Sequence, residues 1–586
     1  MIKLFKNFTK RDLLFILICI TLIVSQVWLE LRMPDYMSEI TRLVQTKGSS
    51  IGDIIEQGIY MLLCALGSLI SAVIVGYFAA NVASNFSKTL RNKIFEKVQS
   101  FGTEEIKKFS TSSLITRTTN DVTQVEMLVG MGLQLIVKAP IMAVWAILKI
   151  LNKGFEWSML TGGCVVILLT TVTTLMIIVL PRFAKVQKLI DKINGVTREN
   201  LTGIRVIRAF NAEKFQGDRF ENVNNDLTKT QLFNQRAFAI MQPIMYLVMN
   251  GLTIGIYLIG AYLINDAIMS EKITLFSNMV VFSSYGIQVI SSFLMLAMIF
   301  MMVPRTSISA KRINEILDEE ETIVDGKFDG KTKEVGTVEF KNVSFKYPDA
   351  DEYILENISF KVKKGETIAF IGSTGSGKST LINLVPRFYD VSNGEILIDG
   401  INVKEYTQEA LHNKIGYVPQ KAVIFTGSVK ENVSYGDSGK KEITDKEIKE
   451  AIRVAQGTDF VEKMDKQYDS HIARGGTNIS GGQKQRLAIA RAIARKPEIY
   501  IFDDSFSALD YKTDSTLRKE LKKYTKDATC MIVAQRIGTI MNADKIVVLD
   551  HGECVGIGTH EYLLKNCEVY KEIALSQLSK EELDNA

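Results

Sequence analysis

The C-terminal half of the chain contains Glu366-Thr-Ile-Ala-Phe-Ile-Gly-Ser-Thr-Gly-Ser-Gly-Lys-Ser-Thr-Leu-Ile-Asn-Leu-Val385, from which its architecture follows. The apolar beginning predicts a buried strand that ends at Gly372, and the residues after Thr380 predict a helix. The loop between them has the form G-x-x-x-x-G-K-S, whose glycines let successive backbone N–H groups close around phosphate oxygens. A strand, this loop and a helix in that order predict an α/β nucleotide-binding domain of the P-loop type.

The loop supplies most of the predicted nucleotide contacts. Lys378 places a positive charge at the β and γ phosphates, and Ser379 offers a hydroxyl to Mg²⁺. The other predicted ATP-binding residues of the loop surround the phosphates with backbone and hydroxyl groups: Gly372, Ser373, Thr374, Gly375, Ser376, Gly377 and Thr380. We therefore expect ATP and Mg²⁺ as the cofactors of this domain.

Two later segments are expected at the same metal ion. The strand predicted at 498–502 ends in Asp503, whose carboxylate is suited to the Mg²⁺ shell. Gln420 follows another apolar segment, 415–419, and its side chain has the length to reach the metal or an attacking water. The sequence therefore predicts a metal site of Ser379, Gln420 and Asp503, although Gln420 alone would be an ordinary loop residue.

A second anion-binding segment precedes the helical sequence that starts near residue 484. Ser480, Gly481, Gly482 and Gln483 place a hydroxyl and glycine N–H groups at a helix N-terminus. The chain thus has two phosphate half-sites, which predicts that nucleotide is held between two chains. The alternative is a helix cap with a tight glycine turn.

The N-terminal half contains several long apolar runs, and none of comparable length follows Val303. A helix needs about 20 apolar residues to cross roughly 30 Å of hydrocarbon. We predict six spans, at residues 13–29, 58–83, 127–151, 157–180, 243–264 and 273–303. The chain is therefore divided into an all-α transmembrane domain over 1–305, a linker over 306–335 and a nucleotide-binding domain over 336–586.

The charge balance and the cysteines limit the kinds of partner and metal site that the protein could have. With 70 basic and 65 acidic residues, the net charge of +5 gives no footprint for nucleic acid, so no nucleic-acid partner is expected. The 6 cysteines form no C-x-x-C pair and have no histidine at metal-ligand spacing. Basic residues beside the spans place both termini and the nucleotide-binding domain in the cytoplasm, which predicts a multi-pass protein of the cell inner (plasma) membrane.

Lys138 lies near the middle of the third predicted span, where a charge is costly. It is expected either to line a polar translocation path, to pair with another chain, or to extend toward the membrane surface. Methionines such as Met245, Met249 and Met298 are frequent in the last two spans and suit a surface that accepts many apolar shapes. Ordinary packing or lipid-facing methionines are the interpretation that we favour.

Taken together, these motifs resemble those of an ATP-binding-cassette (ABC) exporter half-transporter. Walker A at 372–380, the Q-loop Gln420, the signature at 480–483, Walker B at 499–503 and the D-loop at 507–510 occur in the order of that family. The resemblance implies that Tyr347 stacks on adenine and that Asp510 is the D-loop aspartate. It also implies a domain-swapped six-helix membrane domain, a dimer, and coupling helices near 111–121 and 203–215.

Two residues depart from the family pattern. Asp504 stands where a longer glutamate usually polarises the attacking water, and Gln535 stands where a histidine is usual. A displacement of a general base by about 1 Å can cost roughly 10²-fold in rate. The resemblance therefore implies the degenerate-site subunit of a heterodimeric exporter, whose partner has the consensus glutamate and histidine and receives this chain's signature on its own ATP. A homodimer in which Asp504 still works is the alternative.

The predicted function is ATP-driven export of hydrophobic or amphipathic compounds, as in multidrug efflux. A lipid flippase is the leading alternative, and a peptide exporter is the next. A membrane-anchored regulator that binds ATP without transport is the alternative outside the transporter class. The lipid bilayer, a small hydrophobic substrate and a second half-transporter are the expected partners.

Overall fold

The computed structural model describes residues 2–46, 48–151, 154–437, 439 and 441–578. The last eight residues of the predicted nucleotide-binding domain, 579–586, lie outside these ranges. The chain divides into two compact units, which we call unit 1 (Met1–Ser100 and Phe109–Glu320) and unit 2 (Phe101–Lys108 and Glu321–Ala586). The division therefore falls within the stretch predicted as a linker, 306–335, and the first part of that stretch is helical because the last long helix continues to Leu317.

The described chain up to Leu317 is helical almost throughout. Its α-helices are α1 (Ile2–Phe5), α2 (Lys10–Gln45), α3 (Ile51–Gln99), α4 (Thr103–Phe109), α5 (Thr111–Thr116), α6 (Val122–Leu151), α7 (Phe155–Thr202), α8 (Ile204–Ala209), α9 (Glu213–Asp266) and α10 (Met269–Leu317). A π-helical turn, Arg117–Asp121, joins α5 to α6. Six of these helices are long and apolar enough to span a membrane, and each contains one predicted span, so the predicted six-helix domain is confirmed.

Local sequence signals account for the start of the first two long helices. Thr9 caps α2 in a capping box with Asp12, and Ser50 caps α3 by accepting a hydrogen bond from the Gly52 N–H. The helices α3, α7, α9 and α10 extend well beyond the length that hydrocarbon requires. The residues of these helices beyond the roughly 20 that hydrocarbon requires would lie outside it.

Unit 1 holds two lysine–carboxylate pairs between its long helices. Lys138 on α6 donates to Glu30 on α2 at 2.8 Å, and Lys149 donates to Asp35 at 2.6 Å. The Tyr285 hydroxyl, from α10, also donates to Asp35 at 2.7 Å. Lys138 thus pairs within its own chain, an arrangement that the sequence interpretation did not include.

The strands all lie in unit 2. They are β1 (Val338–Phe345), β2 (Leu355–Val362), β3 (Thr367–Gly372), β4 (Asn393–Ile398), β5 (Ile401–Asn402), β6 (Ile415–Val418), β7 (Gly427–Ser428), β8 (His471–Ile472), β9 (Ile499–Asp503), β10 (Thr529–Val533), β11 (Lys545–Asp550) and β12 (Glu553–Gly558). The main sheet has the order β12-β11-β3-β10-β9-β6, and its pairs are parallel except for β11 with β12. A second sheet, β2-β1-β4-β5, is antiparallel, and β7 pairs with β8.

The helices of unit 2 after the P-loop are short. They are α11 (Lys378–Leu384), α12 (Gln408–Lys414), α13 (Val429–Val433), α14 (Asp445–Val454), α15 (Thr458–Val461), α16 (Gly481–Ala494), α17 (Tyr511–Tyr524), α18 (Ile537–Ile540), α19 (His560–Asn566) and α20 (Glu568–Gln577). Residues such as Phe370 and Phe502 are fully buried in the cores beside the main sheet. The predicted α/β domain is therefore confirmed.

The sheet register places the predicted site at one edge. Val533 of β10 pairs with Phe370 of β3 on one side and with Asp503 of β9 on the other. Because parallel strands end at the same edge, the P-loop after β3, Asp503 at the end of β9 and Gln535 after β10 lie at one end of the sheet.

One short segment of the helical half clusters with unit 2 and lies outside the predicted coupling helices, whose role stays a prediction. The predicted regions contain α5 with the π-helical turn, and α8, and both lie in unit 1. Residues 101–108 instead cluster with unit 2, where the Glu105 carboxylate accepts hydrogen bonds from the N–H and hydroxyl of Thr322, both at 2.8 Å. The Glu105 carboxylate, with these two donors, anchors residues 101–108 in unit 2. The sequence of this segment has no apolar periodicity from which its position could be predicted.

Candidate functional site

The P-loop is shaped by close backbone packing. Gly377 has a φ of +91°, and a Cβ there would lie 2.7 Å from a Leu355 methyl carbon and 3.0 Å from the Ile354 carbonyl oxygen. The Lys378 ammonium donates to the carbonyl oxygens of Gly372 at 2.9 Å and Ser373 at 2.7 Å. Lys378 therefore folds back along the loop, with its charge held where phosphate oxygens would enter.

The charge of Lys378 is sensitive to its surroundings. Burial lowers the pKa of Lys378 below its usual range, and the neighbouring carboxylates of Asp504 and Asp503 oppose that shift. A triphosphate in the loop would add negative charge beside the ammonium and favour its protonated form. The charged form of Lys378 is therefore favoured more when the loop holds an anion than when the loop is empty.

Two of the three predicted metal-binding residues meet directly. The Ser379 hydroxyl donates to the Asp503 carboxylate at 2.8 Å, and Asp503 is only 5% exposed. Burial raises the pKa of Asp503, the negative charge of Asp504 adds to that shift, and the hydrogen bond from Ser379 opposes it. A divalent cation placed here would compensate this buried charge.

These donors fit Mg²⁺. A hydroxyl and one or two carboxylate oxygens, completed by phosphate oxygens and water, are the ligands that Mg²⁺ takes in nucleotide sites. Among the described residues no cluster of three or more His, Cys, Asp or Glu side chains could hold a metal without a nucleotide. Ser379 and Asp503 would therefore hold Mg²⁺ together with ATP, and the ion would supply charge neutralisation at the phosphates.

Asp504 is held by two amides. Its Oδ2 accepts a hydrogen bond from the Gln535 amide at 2.9 Å and from the Gln420 amide at 3.4 Å. Its backbone has a φ of +44°, and its carbonyl oxygen accepts from the Ser507 hydroxyl at 2.8 Å. Burial raises the pKa of Asp504, and the hydrogen bond from Gln420 opposes the shift. The structure thus brings both departures from the family pattern into direct contact.

Gln420 contacts the neighbouring carboxylate, Asp504, rather than the predicted metal-binding pair. Since Gln420 follows β6 and Asp504 follows β9, and these strands pair in parallel, both side chains reach the same edge of the sheet. Gln420 thus lies beside the site in this structure, and its role as a metal ligand stays a prediction.

Tyr347 lies beside the P-loop helix. Its hydroxyl is 3.1 Å from the Thr380 hydroxyl, and its ring meets the rings of Phe345 and Tyr389 edge to face. The Lys107 ammonium lies 5.0 Å from the centre of the Tyr347 ring. Sequence reasoning missed Lys107, because a residue 240 positions away along the chain gives no local signal of this contact.

The predicted signature segment begins a helix. Ser480 caps α16, since its hydroxyl accepts from the Gln483 N–H at 3.3 Å while the Gln483 side chain accepts from the Ser480 N–H at 2.8 Å. Gly482 packs so that a Cβ would lie 3.3 Å from the Ala508 carbonyl oxygen, and Gly481 has open space where a side chain would be. The helix cap considered as the alternative is therefore present, and it leaves one face of Gly481 clear for an anion.

The D-loop aspartate also caps a helix. The Asp510 carboxylate accepts from the Thr513 N–H at 3.0 Å at the start of α17. This backbone hydrogen bond holds the pKa of Asp510 below its usual range. Because Ser507 of the same loop bonds to Asp504, the loop connects the edge of the sheet at Asp504 to α17.

Comparison with known families gives two matches. Residues 355–507 match the model described as "ABC transporter", and residues 15–293 match the model described as "ABC transporter transmembrane region". The first range lies in unit 2 and includes the Walker A loop, the signature segment and Asp504, and the second lies in unit 1 except for residues 101–108.

Individual proteins resemble the chain over nearly its full length. An uncharacterized ABC transporter ATP-binding protein of Mycobacterium tuberculosis is 38% identical and covers 92% of this chain and 93% of its own. A multidrug resistance ABC transporter ATP-binding and permease protein of Lactococcus lactis is 30% identical and covers 99% and 95%. The solved structure of a bacterial Atm1-family ABC exporter with ATP bound has a TM-score of 0.84 at 23% identity, covers 97% of this chain and 100% of that one, and shares its fold.

Proposed function

This chain belongs to the ABC transporter family, and on that basis we propose that it is one half of a heterodimeric exporter whose own ATP site binds ATP but hydrolyses it slowly. Its Walker A loop, with Ser379 and Asp503, binds the nucleotide and Mg²⁺. Its signature segment, Ser480 to Gln483, completes a competent site on the Walker A loop of the partner. ATP binding closes the two nucleotide domains, and hydrolysis at the competent site resets them.

The observation that carries this proposal is the arrangement around Asp504. A general base has to come within about 3.2 Å of the water that it activates. The Asp504 side chain is one methylene shorter than glutamate, and its Oδ2 is already engaged by the amides of Gln535 and Gln420. The carboxylate is thus drawn toward two side chains instead of reaching out toward a water.

Gln535 supports the same conclusion from the other side of the site. A neutral amide can donate a hydrogen bond to a phosphate, but it supplies no imidazolium charge and relays no proton. With its Nε2 donating to Asp504 at 2.9 Å, Gln535 stabilises the carboxylate in place. Both groups that would act on an attacking water are therefore used to hold each other.

The proposed cargo is hydrophobic or amphipathic, taken up from the bilayer. The Lactococcus relative, whose name includes multidrug resistance, is similar over nearly all of this chain, which supports this substrate class. We further propose that both termini and unit 2 lie on the cytoplasmic side of the plasma membrane, as the basic residues beside the spans indicate. Lipid flipping and peptide export are the alternatives.

ATP hydrolysis by purified full-length protein tests the proposed asymmetry. We expect slow turnover by this chain alone and fast turnover when it is combined with a half-transporter that has the consensus glutamate and histidine. The double variant Asp504→Glu with Gln535→His should raise turnover by the chain alone by about 10²-fold. Ser480→Ala should slow the pair while leaving ATP binding to this chain intact.

A homodimer would give a different pattern. Fast hydrolysis by the chain alone that Asp504→Ala abolishes would show that the aspartate works as the base and would overturn the asymmetric assignment. Vesicles that contain both subunits then separate the substrate classes, because ATP-dependent movement of an amphipathic dye supports export, whereas movement of a labelled phospholipid alone supports flipping. A regulator that does not transport would move neither.

A further inference from the structure

Unit 1 contains a polar cavity of about 310 Å³ at one end of its long helices, a volume at the lower limit of small-molecule sites. The cavity lies between the start of α6, the later part of α7 and the end of α10. Side chains of Asn120, Gln124, Gln187, Arg305 and Arg312 line it. We call this the Arg305–Arg312 cavity; it is far along the chain from every residue assigned above to ATP.

Two guanidinium groups give the cavity its charge. Arg305 and Arg312 stand seven residues apart on α10, which is two helical turns on the same face. Neither side chain has an ion-pair partner among the residues that the structure describes. A guanidinium fork without a carboxylate partner can bind phosphate oxygens through two parallel hydrogen bonds.

The third charged group of the cavity is Asp121. Its Oδ1 accepts from the Ser309 hydroxyl at 2.7 Å, and the residue is only 6% exposed. Its Oδ2 is buried and has no hydrogen-bond partner among the described residues. Asp121 closes the π-helical turn Arg117–Asp121, a type of turn that is frequent at functional sites. The bond to Ser309 thus fixes the Asp121 carboxylate in the lining of the cavity.

The position along the helices corresponds to the membrane surface. The sixth span is predicted to end at residue 303, so Arg305 follows it by two residues, or about 3 Å of helix. Gln124 precedes the predicted start of the third span, residue 127, by a similar distance. Phosphate groups of a bilayer lie just outside its hydrocarbon core of about 30 Å. Arg305 is therefore at the depth of lipid phosphates, and Arg312, nine residues or about 14 Å past the predicted end of the span, lies on its aqueous side. Basic pockets between helices near this level bind lipid head groups.

We propose that the Arg305–Arg312 cavity binds the phosphate of an anionic phospholipid head group. Arg305 and Arg312 each donate to phosphate oxygens, and the amides of Gln124 and Gln187 are available for the rest of the head group. The negative charge of Asp121 weakens the binding of an anion and would strengthen the binding of a cation. The sign of its effect therefore distinguishes the two kinds of ligand.

Calorimetric titration of the full-length chain in a phosphate-free maltoside detergent tests the proposal. The probes are dihexanoyl phosphatidylglycerol and inorganic phosphate, without ATP, so that the result does not depend on the proposed asymmetry of hydrolysis. Arg305→Gln and Arg312→Gln should each weaken binding of the lipid by about tenfold or more, as loss of a charge-assisted hydrogen bond does. Lys311→Gln is the matched control, since Lys311 is an exposed cation next to Arg312 and does not line the cavity.

Asp121→Asn should tighten lipid binding, because it removes the negative charge and keeps an oxygen that can accept from Ser309. Equal affinity for both probes would keep the phosphate site and assign it to free phosphate, whereas preference for the lipid supports the head group. Unchanged binding in both arginine variants, or an equal loss in Lys311→Gln, would overturn the proposal. Weaker binding in Asp121→Asn would overturn it as well, since that result requires a cationic ligand.

Discussion

Two carboxylates in this molecule are held in opposite ways. Glu30, in the membrane unit, accepts from the ammonium of Lys138 and from the neutral groups of Gln26 and Ser68. Asp504, in the nucleotide domain, accepts from the amides of Gln535 and Gln420, while Lys378 donates to loop carbonyls instead.

The difference follows from what each region requires. A carboxylate between membrane helices has no bulk water to stabilise it, so a cation of the same chain compensates its charge. At the nucleotide site the cation has to remain available for phosphate, so the acid is held by neutral donors. A permanent ion pair therefore indicates a structural contact. A carboxylate held by amides, next to a cation that donates to no carboxylate, indicates instead a site for a charged ligand.

The largest loss of stability is expected when the ion pair between Lys138 and Glu30 in unit 1 is broken. Lys138→Met leaves the partly buried Glu30, whose side chain is 16% exposed, without a cation. Loss of one partner of a fully buried pair costs about 3 to 5 kcal/mol, so we expect a loss near the lower end of this range. Thermal unfolding of the full-length protein in detergent measures this loss. The double variant Lys138→Met with Glu30→Gln should recover most of the stability, because no charge is then left unpaired. An equal loss in the single and double variants would contradict the comparison.

Removal of the nucleotide cation should affect binding more than stability. Lys378→Ala should weaken ATP binding by about 10²-fold, since charge-assisted hydrogen bonds contribute about 1.5 to 3 kcal/mol each. Fluorescence titration with a labelled ATP analogue measures the change. Lys364→Ala, at an exposed lysine of the same domain, is the control and should bind like the unmodified protein. A Lys378→Ala protein that binds ATP normally would show that the cation is structural.

A smaller effect is expected when an amide next to Asp504 is removed. Gln535→Leu should lower the free energy of unfolding by about 1 kcal/mol, because it removes one hydrogen bond to a carboxylate. Gln420→Leu, whose amide is 3.4 Å from the same oxygen, should cost less. Denaturant unfolding without nucleotide compares the two. A loss as large as that of Lys138→Met would remove the distinction between the two regions.

The smallest expected effect is a change of thermal stability with pH. Burial raises the pKa of Asp503, so the folded protein binds that proton more tightly than the unfolded chain does. This contribution to stability is present below the ordinary aspartate pKa and is lost as pH rises through the raised value. Asp503→Asn does not titrate, so its advantage in melting temperature should grow between about pH 4 and pH 7 without ATP or Mg²⁺. A constant difference across this range would be inconsistent with the raised pKa.

Much of the fold could be predicted because its signals are local. Each of the six apolar runs lies within one long helix, and the strand before the P-loop was placed within a residue of its observed start at Thr367. The sequence placed Ser379 and Asp503 at one metal ion, and the structure brings the two side chains into contact because parallel strands end at one edge of the sheet. The segment 101–108 could not be predicted, because it is anchored by a buried carboxylate rather than by an apolar pattern.

The sequence by itself determined the class of the protein, the six spans and the residues proposed to hold ATP, because apolar period and motif spacing act over a few neighbouring residues. Only the tertiary structure decided which groups compensate one another: Lys138 with Glu30, Gln535 with Asp504, and Asp121 with Ser309. These pairs are separated by between 31 and 188 positions in the chain. Their contacts depend on how helices and strands pack, and the cost of burying an uncompensated charge selects the packing.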